Sequence, residues 1–216
     1  MTNPYVTISE KYNRPESVLD LHRFARDLAK LLKGKFVEQK TDDINERYVS
    51  IEIDGAVLSL TKGWKKSELE KITVNIRPRD LRLDHNDTPR GQEYKTPEAT
   101  VSTDRPLDKI VADITRRVIE PGKAPIAKLH EHAATCAQQR DDLETTAARL
   151  RKDYPLLQVN IKTGERFSAQ LYRNSNDEPY LSGNVRSDGS VSIDRIGSLT
   201  AKQFERVMAA LYPRKK

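Results

Sequence analysis

The sequence predicts an α+β protein: two antiparallel β-meanders, each packed by helices, joined by a helical hairpin with one long amphipathic helix. Two observations predict the strands and one the helix. Apolar residues alternate with polar ones in two separate regions, each punctuated by Asp-Gly turns. Between them lies Ile126 to Tyr154, where Leu129, Cys136, Leu143 and Leu150 recur every seven residues. Ile126, Ala133, Arg140, Ala147 and Tyr154 form the companion row. That is a seam sustained for four heptads without Gly or Pro after Ile126, giving a helix roughly 40 Å long.

Taken in order, the first part spans residues 1–104. A helix is expected from about Arg14 to Lys33, with Asn13 and Glu16 at capping-box spacing and Gly34 as a left-handed stop. Val18, Leu21, Ala25, Leu28 and Leu32 form its apolar stripe. Lys35 to Gln39 reads as a short strand. Val49, Ile51 and Ile53 alternate up to Asp54-Gly55, Leu58 and Leu60 return, and Ile72, Val74 and Ile76 follow. Residues 78–98 are polar with little periodicity, and a short strand near Thr100–Thr103 closes the part.

The second part, 105–154, is the helical hairpin or spine. Asp104 is expected to cap a helix carrying Leu107, Ile110, Val111, Ile114 and Val118, and Pro121-Gly122 to end it and turn the chain into the seam helix. The third part, 155–216, is a four-stranded meander plus a helix. Its strands carry Leu157, Val159 and Ile161, then Phe167, Ala169 and Leu171, then Leu181, Gly183 and Val185, then Val191 and Ile193 after Asp188-Gly189. Thr200 and Gln203 open the last helix, which is expected to bury Phe204, Val207, Met208 and Leu211. The order of elements in this third is similar to that of double-stranded-RNA-binding domains. The last helix opens on Thr200-Ala201-Lys202-Gln203 where that family places a lysine cluster, and no family is assigned.

Composition narrows the function. The chain has 216 residues, 36% of them hydrophobic and 32% charged, so it can bury a core while keeping much polar surface. No apolar run reaches the roughly 20 residues that cross a bilayer, and the first residues lack the pattern of a signal peptide. With a single cysteine there is no internal disulfide. A cytoplasmic protein without membrane contact is expected. The net charge of +6 is not spread evenly: residues 154–216 carry ten Lys+Arg against six Asp+Glu, whereas acids interleave with bases elsewhere.

Signatures of chemistry are weak. No Gly-rich phosphate loop, Ser-His-Asp arrangement or dinucleotide fingerprint is present, and neither cofactor nor metal is expected. His132 and Cys136 stand one helical turn apart, but nothing completes the four ligands of a structural zinc site. His85 lies alone among loop acids. Asp80 followed by Glu93-Tyr94-Lys95 matches the loose acid and acid-x-lysine pattern of metal-dependent nucleases, yet falls in the stretch with least regular structure.

The outward face of the C-terminal meander carries the richest set of binding groups. Lys162, Gln170, Tyr172, Tyr180, Asn184 and Arg186 belong to it, and Trp64-Lys65-Lys66 offers a second aromatic beside two charges. Aromatic and amide-rich sheet faces stack bases and contact phosphates, although they also face water or protein partners. The seam residues Leu129, Cys136, Arg140, Leu143 and Leu150 either pack on the chain's own sheets or pair with a second copy as a homodimer. A non-catalytic binding protein, with nucleic acid as partner, therefore ranks first. A protein–protein interaction module, an inhibitor or adaptor, is the alternative, and a metal-dependent nuclease comes third.

Overall fold

A computed structural model describes residues 3–11, 14–37, 47–63, 68–81, 83, 87–162, 167–173 and 180–211. The protein is a mixed α+β structure with antiparallel sheets and one long helix. It divides into two compact units, Met1–Arg82 with Pro89–His132, and Leu83–Thr88 with Ala133–Lys216.

The first unit starts with a hairpin of β1 (Val6–Lys11) and β2 (Arg14–Leu19), not with a helix at Arg14. Helix α1 is confined to Leu21–Leu31, and its cap is Asp20, whose carboxylate accepts from the Arg23 N–H at 2.9 Å. Residues 12–13, the expected cap among them, lie outside the described residues. Packing decides the difference: Leu19, which the helical stripe omits, is fully buried, and the Tyr5 and Phe24 rings meet edge-to-face at 5.1 Å. At the other end of α1 it is Lys33 that takes the left-handed conformation, at φ 54°. Gly34 is needed for another reason, because a Cβ there would lie 2.6 Å from the Glu52 carbonyl oxygen.

Strands β3 (Lys35–Val37), β4 (Tyr48–Ile53), β5 (Ala56–Lys62), β6 (Lys71–Pro78) and β7 (Glu98–Ser102) form one antiparallel meander in chain order. Asp54 and Gly55 both have positive φ, 31° and 75°, as a two-residue hairpin turn requires. Val49, Ile51, Leu58, Leu60, Ile72, Val74 and Ile76 point to one face and make the core with Phe24 and Leu28 of α1.

The long helix departs from the sequence expectation. Helix α2 (Leu107–Ile114) starts after Pro106 with no side-chain cap, so Asp104 does not perform that role. A π-helical turn (Thr115–Ile119) then leads directly into α3 (Glu120–Asp153). The turn expected at Pro121-Gly122 is absent, and in place of a hairpin the chain forms one joined helix of 47 residues. Two local features let it pass through. The π turn bonds the Glu120 N–H to the Thr115 carbonyl, widening the backbone just where a proline ring would crowd the preceding turn. Gly122 is buried against the sheet, where a Cβ would approach Ile76 Cγ2 to 2.5 Å. Ile110, Ile114 and Val118 are buried in the first unit's core, and the unit boundary falls at His132/Ala133, inside α3.

In the second unit, β8 (Gln158–Asn160), β9 (Ser168–Arg173), β10 (Tyr180–Arg186) and β11 (Val191–Gly197) form a sheet in the order β11-β10-β9-β8. Val159, Ala169, Leu171 and Val185 pack against Leu143 and Ala147 of α3, with Leu150 at the margin. This part of the seam is thus covered by the chain's own sheet. Arg151 ties the end of α3 to β8, donating from Nε and Nη2 to the Val159 carbonyl at 3.1 and 2.7 Å. Helix α4 (Ala201–Leu211) opens with the expected capping box, the Thr200 N–H bonding Gln203 Oε1 at 2.8 Å and the Gln203 N–H bonding Thr200 Oγ1 at 3.3 Å. It buries none of its residues: Phe204 is 53% and Leu211 66% exposed, against the expectation of a buried stripe. Helix α3 covers part of the apolar face of the sheet, and Val207 of α4 borders the space left beside it.

Candidate functional site

The strand register builds the polar face of the second sheet in two rows. Gln158 pairs with Tyr172, Tyr172 with Ser182, and Ser182 with Arg195. The next row runs Asn160, Gln170, Asn184 and Ser192. Alternation in β10 puts Tyr180 and Arg186 on the same side as Ser182 and Asn184. Of the residues expected to bind a partner, Gln170, Tyr172, Tyr180, Asn184 and Arg186 therefore share one face, and Lys162 is exposed just beyond β8. Trp64, Lys65 and Lys66 lie outside the described residues.

Tyr172 is 39% exposed and sits centrally, beside a depression of about 560 Å³ lined by Arg151, Pro155, Leu157, Gln158, Asn160 and Tyr172 among others. Tyr180 is half-buried, its ring lying across Gly197, where any Cβ would collide with it. The Arg195 guanidinium stands over that ring at 5.7 Å from its centroid. Asn184 donates to Asp194 Oδ2 at 3.2 Å, which holds an acid beside the amides of this face. In the β10–β11 turn, hydrogen bonds from Ser190 to Asp188 hold that carboxyl below its ordinary range.

Arg195 is the residue that sequence reasoning misses. Strict alternation from Val191 and Ile193 would send it to the apolar face. A bulge inserts Asp194, so Ser182 pairs with Arg195 while Gly183 pairs with Ile193, and the side chains change sides. The one available signal is Ile196, whose spacing from Ile193 breaks the period of two.

The other candidates resolve differently. Cys136 is buried, the His132 ring packs on Tyr94 at 5.6 Å, and Leu129 is half-buried. Asp80 is exposed near Arg79, and Glu93 and Lys95 are exposed at the short 3₁₀ turn Gln92–Tyr94. Among the described residues no group of three or more His, Cys, Asp or Glu is placed to hold a metal ion. Residues 84–86, His85 included, are outside them. Arg140, the polar interruption of the seam, forms an ion pair with Asp87, a carboxylate only 3% exposed. Asp87 is thereby tied to α3.

On the outer face of the first sheet, Tyr48 Oη accepts from Ser50 Oγ at 3.1 Å and Arg77 Nη2 at 3.0 Å and lies 3.0 Å from Ser59 Oγ. Burial opposes ionisation of this phenol, but the two serine hydrogen bonds and the Arg77 charge outweigh it and hold it below its ordinary value. Among the described residues no helix is long and apolar enough to cross a membrane. Set against protein-family models, curated proteins and solved structures, the chain matches none.

Proposed function

We propose that the protein is a non-catalytic nucleic-acid-binding protein that takes a single strand across the polar face of its C-terminal meander. The observation that carries this reading is Tyr172, exposed at the centre of the row Gln158–Tyr172–Ser182–Arg195 and bordering the 560 Å³ depression. An exposed ring among amides is a stacking platform that accepts any base, and Lys162, Arg186 and Arg195 supply charge for the backbone. The basic excess of residues 154–216 favours an anionic partner.

Binding of labelled single-stranded DNA and RNA of mixed sequence, followed by fluorescence anisotropy across a salt series, tests it. Affinity should fall steeply with salt, and Tyr172→Ala should weaken it about tenfold, within the range of one lost base stack. Lys162→Glu with Arg186→Glu should flatten the salt dependence. If neither nucleic acid is retained at low salt, the proposal fails.

A further inference from the structure

The opposite face of the same sheet holds a cavity of about 660 Å³, within the range of roughly 300–1,000 Å³ found for small-molecule sites. Its walls are mostly aliphatic: Leu150 of α3, Leu171 and Leu181 of the central strands, Ile193 of the edge strand and Val207 of α4. The wall is incompletely covered, since Ile193 is half-exposed and α4 contributes only its margin. One cation is among its lining residues. Arg173 ends β9 and pairs with Leu181, which places it on the apolar face, and it lines the cavity.

The Nε of Arg173 is shielded from solvent and finds no hydrogen-bond acceptor among the described residues. A buried guanidinium donor without an acceptor is costly, and groups of this kind need an explanation beyond packing. Asp153 also borders the cavity, but it is exposed, and no ion pair joins it to Arg173. A carboxylate is the acceptor that matches the planar fork of arginine. We infer that the C-terminal unit binds a small amphipathic carboxylic acid, its aliphatic body in the cavity and its carboxylate on Arg173. This site is on the other side of the sheet from the polar face and does not depend on nucleic-acid binding.

Titration calorimetry of the full chain with dodecanoate and with dodecanol, both below their aggregation limits, separates the two contributions. Dodecanoate should bind one molecule per chain, and dodecanol at least about tenfold more weakly, as loss of one charge-assisted hydrogen bond implies. Arg173→Met should bring dodecanoate down to the level of dodecanol and leave dodecanol unchanged. Ile193→Glu, at a half-exposed position, should abolish both without altering the circular dichroism spectrum. Equal affinity for the acid and the alcohol, an Arg173→Met chain that keeps its preference for the acid, or no binding of either by the native chain would each overturn the proposal.

Discussion

Replacing Arg140 by methionine removes the charge opposite Asp87 while keeping an apolar stem of similar reach. Asp87 is 3% exposed, whereas the Arg140 side chain is 34% exposed and partly solvated. Breaking a buried ion pair by removing one partner costs about 3–5 kcal/mol, and the partial exposure of Arg140 places this pair near 3 kcal/mol. For a chain of this size that is a fall in Tm of about 6–12 °C for the transition that includes α3. The second change, Asp87→Leu in the Arg140→Met background, measures the coupling between the two side chains, because the ion pair they share makes their separate costs non-additive. Urea unfolding followed by circular dichroism measures the cost. Hydrogen exchange at Asp87 and Thr88 shows whether the backbone there loosens first. If Arg140→Met costs under about 1 kcal/mol, or the two changes simply add, the ion pair does not hold Asp87 to α3.

Gly122→Ala should destabilise the protein by about 1–3 kcal/mol, the range for overpacking, because the new methyl meets Ile76. In an open helix the same change would stabilise by up to about 1 kcal/mol, so the sign of the shift in thermal midpoint decides whether α3 is pressed to the sheet there. Tyr48 should ionise below the ordinary tyrosine value in a phenolate absorbance titration compared with Tyr48→Phe, and Ser50→Ala should delay it. Its folded pKa is lowered from 10.0, so the linked stabilisation is fully present above that value and is lost as pH falls through the folded one.

Where periodicity alone sets the structure, the sequence is readable: Ile72, Val74 and Ile76, or Leu143 and Leu171, are buried as their spacing requires. It misleads where two patterns overlap. Arg14 to Leu19 carries residues that extend the helical stripe of α1, but the pairing with Val6–Lys11 buries Leu19 instead. Pro121-Gly122 has the composition of a stop, and only the preceding π turn and the closeness of Ile76 explain why the helix continues. The polar face was legible because strand alternation is local. Arg173 was not, since its importance lies in what it fails to meet across the sheet, and Asp87 was not, since its partner is 53 residues away.

The bulge at Asp194 also protects the molecule from itself. Strand β11 lies at the edge of the sheet, and Val191, Ile193 and Ile196 on it are half-exposed. Without Asp194 the strand would read Val191-Ser192-Ile193-Arg195-Ile196, a regular alternation well suited to pair with the same strand of another molecule. The extra residue interrupts the hydrogen-bonding row, increases the local twist and sets a carboxylate at the break. One acidic residue thus re-aims Arg195 within the sheet and discourages fibrillar assembly along its edge.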